Sequence, residues 1–126
     1  MLEIENLLKI NGFILDKEVI SNMFGDYFKI FVFKDMEIRL INSKNQLSFD
    51  IRKKNFEWFD LAILKSMISN DVDLTQKFDS NDFQDLIYLN IEIVKKLFND
   101  LNYKKTENHL KKLEKLRVKQ IFKNLN

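Results

Sequence analysis

The chain has no cysteine and no proline, and glycine occurs only at Gly12 and Gly25. Without cysteine there can be neither a disulfide nor thiolate chemistry. A zinc site needs three or four nitrogen or sulfur ligands, and this chain offers one histidine. Two isolated glycines also exclude a glycine-rich phosphate loop. The scarcity of proline and glycine instead predicts regular elements joined by short polar turns.

Long apolar runs are absent as well. No stretch approaches the roughly 20 residues that are needed to cross a bilayer. The N-terminal segment, MLEIENLLKI, carries acidic residues where a signal peptide would be basic. The 126 residues are 45% hydrophobic, which suits one domain with its own core and argues against a disordered chain. We therefore predict a single cytoplasmic domain over residues 1–126, without a membrane partner.

Charge is distributed unevenly along the chain, although the formal net charge is only +2. Residues 95–126 contain ten basic and three acidic residues, a balance of +7, whereas the other 94 residues contain 11 basic and 16 acidic, a balance of −5. Such a separation is typical of a surface that binds a charged partner. It also arises in a molecule whose two ends neutralise each other.

The hydrophobic patterns predict an α+β fold. A short helix over residues 2–10 should stop at Asn11-Gly12. Residues 13–20 and 27–34 predict a weak strand and a central strand, with a turn around Asn22 and Gly25 between them. Residues 36–52 predict a hairpin, because apolar and charged residues alternate on both sides of a polar turn at 42–45. We expect a four-stranded antiparallel meander preceded by one short helix.

Three helices should follow the sheet. Residues 56–68 are apolar around most of a helical wheel, which indicates a buried helix. The second should begin near Ser80 or Asn81, with Gln84 at capping-box spacing from Asn81. Thr106 is a candidate cap for the third. That third helix has one broad apolar face, formed by Leu110, Leu113, Val118, Ile121 and Leu125. Four lysines lie together on the opposite face: Lys112, Lys115, Lys119 and Lys123.

The second helix carries more apolar residues than one sheet needs to cover. Its main stripe runs from Phe83 to Leu101, and Tyr88, Leu89 and Ile93 widen it. Apolar surface that is left over after folding is typical of an interface. A homodimer or a scaffold that forms through the two long C-terminal helices is therefore one expectation.

Side chains suited to catalysis are few. His109 is the only histidine, and its place near the start of a basic helix favours a solvated role over a Ser-His-Asp triad. The acidic pairs Asp71/Asp73 and Asp82/Asp85 have the chemistry for magnesium or acid–base work. Acidic residues are nevertheless expected at helix starts, where they complement the helix dipole. We predict a binding protein that is not an enzyme and needs no cofactor.

Two charged segments are candidate binding surfaces. Between residues 71 and 92 there are six acidic residues and one lysine, which suits a basic protein partner such as the cationic cleft of a nuclease. The lysine face of the last helix suits phosphate groups instead. That helix has one arginine, Arg117, and only Phe122 lies among its four lysines to stack bases. The predicted partner-binding residues are Asp71, Asp73, Asp79, Asp82 and Asp85.

The centre of the chain resembles a known family. Phe49-Asp50-Ile51 ends the hairpin, Trp58-Phe59-Asp60-Leu61 opens the next helix, and a charged helical tail follows. This layout, which covers most of the chain, is similar to that of small immunity proteins of bacterial polymorphic toxin systems, of the Maf and contact-dependent inhibition types. The turn at 42–45 departs from it, because it lacks the Asp-Arg pair expected there.

The resemblance implies an immunity protein that binds the C-terminal domain of a cognate toxin, such as a nuclease. It would neutralise the toxin by blocking its active site or its substrate surface. The alternative from the residues themselves is a nucleic-acid-associated module that uses the basic C-terminal helix. In the family interpretation, Trp58 should be a core anchor between helix and sheet, and Asp60 should lie in the first helical turn or bond to the loop.

Overall fold

The structure is a computed structural model, and it describes residues 2–21 and 25–125. The turn expected around Asn22 lies outside the described residues. The predicted α+β class and the single helix before the sheet are confirmed. The elements are α1 (Leu2–Ile10), β1 (Ile14–Ile20), β2 (Tyr27–Phe33), β3 (Met36–Ser43), β4 (Gln46–Lys53), β5 (Phe59–Asp60), α2 (Leu61–Ser69), α3 (Ser80–Leu97) and α4 (Tyr103–Leu125).

The sheet is antiparallel, and its spatial order β1-β2-β3-β4-β5 follows the sequence. The expected number of four strands is therefore wrong. The fifth strand has two residues, Phe59 and Asp60, which pair with Ile51 and Asp50 of β4. Two residues are too few to show an alternating pattern, so the sequence assigned them to the following helix. That helix, α2, begins at Leu61 rather than near residue 56.

The predicted hairpin of β3 and β4 is confirmed. Ser43 pairs with Gln46, and the two residues between them, Lys44 and Asn45, have φ angles of 51° and 65°. Two central residues at positive φ define a type I′ turn, whose twist matches that of the flanking strands. The hairpin therefore holds β3 and β4 in the register that the alternating sequence requires.

The core lies between one face of the sheet and the helices. Phe31, Ile38, Ile51 and Phe59 form a row across β2 to β5, and all are at most 1% exposed. Helices α1, α2 and α3 add their buried apolar side chains to the same cluster. One close contact is the ring stack of Phe49 on Phe83 of α3, with a centroid distance of 4.5 Å.

Helix α3 has its predicted buried side but a different cap. Its capping box joins Asp79 and Asp82 rather than Asn81 and Gln84. The Asp82 N–H donates to Asp79 Oδ1 at 3.0 Å, and the Asp79 N–H donates to Asp82 Oδ2 at 2.9 Å. The reason is that an aspartate at the third helical position can accept a hydrogen bond from the N-cap N–H, as Glu or Gln does in the usual capping box.

The end of α3 and the start of α4 also differ from the sequence prediction. Leu101, which was expected in the apolar stripe, is 89% exposed, because α3 ends at Leu97. Helix α4 begins at Tyr103, three residues before its predicted cap. Thr106 is instead a buried residue inside α4, and its hydroxyl donates to the Leu97 carbonyl at 2.7 Å. This bond ties the connection between the two helices.

Candidate partner-binding surfaces

The five predicted acidic residues do not form one site. Asp71 forms an ion pair with Lys65 of α2, with 2.8 Å between Nζ and Oδ2. Asp73 accepts hydrogen bonds from the Thr75 hydroxyl at 2.6 Å and the Thr75 N–H at 2.9 Å. These bonds hold the pKa of Asp73 below its usual value. Both residues therefore shape the loop between α2 and α3.

The other three acidic residues lie at and beyond the start of α3. Asp79 and Asp82 form the capping box, and the hydrogen bond from the Asp82 N–H holds the pKa of Asp79 below its usual value. Asp85 is exposed, and among the described residues it has no ion-pair or hydrogen-bond partner. Of the five, Asp85 is the carboxylate that the fold itself does not use.

Asp85 belongs to an exposed stripe that we call the acidic α3 face, which consists of Asp85, Tyr88, Leu89, Glu92 and Ile93. These residues follow the spacing i, i+3, i+4, i+7, i+8 that places side chains on one side of a helix. The exposed fractions are 77% for Tyr88, 69% for Leu89 and 46% for Ile93. Glu92 is 79% exposed, and its ion pair with Lys95 is long at 3.8 Å. The sequence suggested different roles for the acidic and the apolar residues, whereas one helix face carries both.

The last two turns of α4 form a second exposed surface. Its apolar residues follow the spacing i, i+3, i+4, i+7, and its lysines run alongside. The sequence predicted that Val118, Ile121 and Leu125 share one broad apolar face with Leu110, and of these four only Leu110 is buried. The basic α4 end, as we define it, consists of an apolar stripe and the two lysines that border it: Val118, Ile121, Phe122, Leu125, Lys115 and Lys119. The two lysines lie seven and three residues before Phe122, so they flank this stripe on the Phe122 side instead of lying opposite all of it as the sequence predicted.

All four lysines that the sequence placed on one side of α4 are exposed. Within residues 2–21 and 25–125, none of them has an ion-pair partner. Their positive charge is therefore available to an external anion. They are Lys112, Lys115, Lys119 and Lys123.

Gln120 holds this part of α4 against the loop between α2 and α3. Its side-chain oxygen accepts from the Leu74 N–H at 2.8 Å, and its side-chain nitrogen donates to the Val72 carbonyl at 2.9 Å. The amide thus pairs with backbone groups that belong to no helix or strand. No sequence pattern marks Gln120, because its partners lie 46 and 48 residues away.

Trp58 is not the core anchor that was expected. The centre of its ring lies 4.1 Å from the Arg39 guanidinium and 4.4 Å from that of Arg52, on the sheet face opposite the core. The reason is strand alternation. Phe59 points into the core and is 1% exposed, so its neighbour must point the other way.

The two arginines around Trp58 are themselves held by acidic residues. Arg39 pairs with Asp50 at 2.8 Å, and Arg52 pairs with Glu37 at 2.6 Å. Asp60 faces the same side, where it caps α2 through the Ala62 N–H and pairs with Arg117 of α4 at 3.2 Å. The residues that resemble the immunity-protein motif therefore build the junction of sheet, α2 and α4.

Lys53 is a buried charge that joins three parts of the chain. Its ammonium contacts Asp35 at 2.8 Å, Asp100 at 2.7 Å and the Phe98 carbonyl at 3.1 Å. Burial lowers the pKa of Lys53, but the two carboxylates raise it by more, so that it lies above its usual value. The same contacts lower the pKa of Asp100. Lys53 thus fixes the β2–β3 turn and the α3–α4 connection to β4.

His109 lies on the exposed side of α4. In the part of the chain that the structure describes, no three His, Cys, Asp or Glu side chains are placed to hold a metal ion. No helix among those same residues is long and apolar enough to cross a membrane. Comparisons of the chain with protein-family models, with curated proteins and with solved structures give no match.

Proposed function

We propose that this chain is an immunity protein, which binds a toxin domain such as a nuclease and covers its active site or substrate surface. The acidic α3 face carries the proposal. Three large apolar side chains are exposed there between two carboxylates, although the opposite side of α3 fills the core. Aromatic and aliphatic anchors surrounded by charge are typical of protein interfaces. The likeness of residues 49–51 and 58–61 to immunity proteins supports this class of partner.

The chemistry of this face favours a basic partner. Asp85 and Glu92 can pair with the lysines and arginines that line a nuclease cleft, while Tyr88, Leu89 and Ile93 supply apolar contact. Asp79 and Asp82 add negative charge at the start of the same helix, which helps to steer the partner during association. In this proposal Asp71 and Asp73 act indirectly, by holding the loop that precedes α3.

Co-expression with the toxin domain that is encoded upstream tests the proposal. In the systems that this chain resembles, immunity genes follow their toxins. Survival of the cells and co-purification of a complex are expected, with a dissociation constant of about 1 nM or below, which corresponds to about 12 kcal/mol. Toxicity that the chain does not relieve, together with the absence of a complex, would refute the pairing.

Charge reversal on α3 locates the surface. The double variant Asp85→Lys/Glu92→Lys should lower the association rate constant at least tenfold and weaken its dependence on salt. The matched control is Glu3→Lys/Asp16→Lys, which changes the net charge equally at two exposed acids outside α3. Equal losses in both double variants would show that only net charge matters, and the acidic α3 face would then not be the site.

A nucleic-acid-associated module is the second candidate function. Its support is the row of four exposed lysines on α4, which spans about 16 Å along the helix axis from Lys112 to Lys123. Phosphate contacts release counterions, so binding through this row should weaken steeply as salt rises. A gel shift at low salt that disappears in Lys112→Glu/Lys119→Glu would favour this function over the first.

A further inference from the structure

Two helix faces that the fold leaves uncovered have complementary chemistry. The acidic α3 face presents two carboxylates and three apolar side chains, and the basic α4 end presents two ammonium groups and four apolar side chains. Together they hold seven of the fifteen large apolar side chains that are exposed among the described residues. Nearly half of these exposed apolar side chains therefore lie on two helix faces of opposite charge.

We propose that two copies of the chain pair reciprocally, with the acidic α3 face of each copy packed against the basic α4 end of the other. A twofold axis makes the assembly closed, because both copies use both faces and no third copy can add. Apolar side chains would meet apolar side chains, with Asp85 and Glu92 near Lys115 and Lys119. The dimer would thus cover both of these exposed helix faces in each copy.

The two faces cannot meet within one chain. The acidic α3 face points away from the core, because Phe83, Ile87 and Val94 on the other side of the helix are fully buried. The basic α4 end is held elsewhere, since Gln120 bonds to the backbone at Val72 and Leu74. A second copy brings together what the fold of one copy keeps apart.

Charge decides between this pairing and the two simpler ones. Two α4 ends that packed on each other would bring lysines together, and two α3 faces would bring carboxylates together. Like charges that face each other across an interface disfavour the complex. Only the crossed arrangement buries both apolar stripes and brings opposite charges together.

This inference rests on the proposed function in one respect. The dimer covers the acidic α3 face, so the toxin and the second copy compete for it. Self-association would then hold the binding face closed until the toxin displaces the second copy. A variant that is monomeric because its α4 end is changed should therefore bind the toxin at least as tightly as the natural chain does.

The test uses two variants with opposite charge reversals. The first is Asp85→Lys/Glu92→Lys, and the second is Lys115→Glu/Lys119→Glu. Sedimentation velocity should show the natural chain moving from 15.2 kDa toward twice that mass with concentration, and more weakly at high salt. Each variant alone should be monomeric, with a dimer dissociation constant raised at least tenfold. An equimolar mixture should dimerise, because both crossed contacts regain opposite charges.

Each of the other possible outcomes contradicts a different part of the proposed dimer. A first variant that still dimerises alone would point to α4–α4 pairing, and a second variant that does so would point to α3–α3 pairing; either overturns the proposal. A natural chain that is still monomeric at a protein concentration of about 100 μM also overturns it, because that concentration is about 100 times a micromolar dissociation constant. If either reversal unfolds the chain, the neutral pair Asp85→Asn/Glu92→Gln tests the same contact, and unchanged dimerisation in that pair would count against the proposal.

The two proposals fail separately. A monomeric natural chain that rescues cells from the toxin refutes the dimer and leaves the immunity function intact. A dimer that follows the charge-reversal pattern but neither binds nor neutralises the toxin refutes the function alone. The variant Lys115→Glu/Lys119→Glu tests both proposals at once, because it should be a monomer that still binds the toxin.

Discussion

Lys53 places a charge inside the molecule and gives it three oxygen partners. Replacing it by methionine keeps most of the apolar stem but leaves Asp35, Asp100 and the Phe98 carbonyl without their donor. We expect Lys53→Met to lower the free energy of unfolding by about 1–2 kcal/mol, because Asp35 and Asp100 are exposed enough to be solvated by water when the ammonium is removed. Lys54→Met is the matched control, since that side chain is exposed and should matter by less than about 0.5 kcal/mol. Urea denaturation measures both, and equal effects would contradict the assigned role.

The same network predicts how stability depends on pH. The pKa of Lys53 is raised, so its contribution is complete below the usual value of 10.5 and is lost as the pH rises through the folded value. The pKa of Asp100 is lowered, so its contribution is present above the usual value of 3.8 and is lost as the pH falls through the folded value. The free energy of unfolding, measured from below pH 3.8 to above pH 10.5, should fall at both ends of this range in the natural chain. In Lys53→Met the contributions of the Lys53–Asp100 pair to these two decreases should be absent.

Trp58 is stabilised by its contacts with the Arg39 and Arg52 guanidinium groups rather than by burial in the core. Each cation–π contact at a partly exposed site contributes about 0.5–1 kcal/mol. We expect Trp58→Leu to lower the free energy of unfolding by about 1–2 kcal/mol in urea denaturation followed by circular dichroism. Tyr88→Leu replaces an exposed aromatic residue of α3 that contacts no other ring and no cation among the described residues. It should change the free energy of unfolding by less than about 0.5 kcal/mol. A Trp58 variant as stable as the natural chain would contradict the role of the two arginines.

At the scale of elements, the last turns of α4 depend on one side chain. Gln120→Ala removes two hydrogen bonds to the loop, each worth about 1 kcal/mol net. Amides near the end of α4 should then exchange with solvent about 10–30 times faster, while amides around the buried Leu110 should keep their rates. Hydrogen exchange measures both groups in one experiment. Lys119→Ala is the control on the same turn, and similar acceleration in that variant would mean that Gln120 is not the tether.

Several elements followed from local pattern alone. The alternation in β3 and β4 predicted the hairpin and its two faces, and the helical stripe of α3 predicted a buried side that includes Phe83, Ile87 and Val94. Both patterns repeat over several residues or helical turns, so one position that departs from the pattern does not change the predicted element. The predicted starts of α2 and α4 were wrong, because adding or removing one turn at the end of a helix leaves its hydrophobic periodicity unchanged. Their positions depend on Asp60 as a cap and on Thr106 as a buried link.

At the scale of the whole molecule, α1 at the start of the chain and α3 hold each other in place. Helix α1 packs against α3, and Lys95 donates to the Asn11 carbonyl at 2.8 Å. Leu8 is fully buried, whereas Ile10 on the same helix is 80% exposed. We expect Leu8→Ala to lower the free energy of unfolding by about 2–5 kcal/mol and Ile10→Ala by less than about 0.5 kcal/mol. Urea unfolding followed by both fluorescence and circular dichroism measures this, and comparable losses would show that α1 is not part of the core.

The sequence by itself determined the α+β class, the hairpin, the buried side of α3 and the separation of acidic from basic segments. These features depend on periodicity and composition, which are properties of neighbouring residues. Only the tertiary structure decided that Trp58 contacts two arginines, that Gln120 holds α4, and that the acidic α3 face and the basic α4 end stay uncovered. Those outcomes depend on contacts between residues far apart in the chain, and a side chain finds such a partner only when the elements have packed.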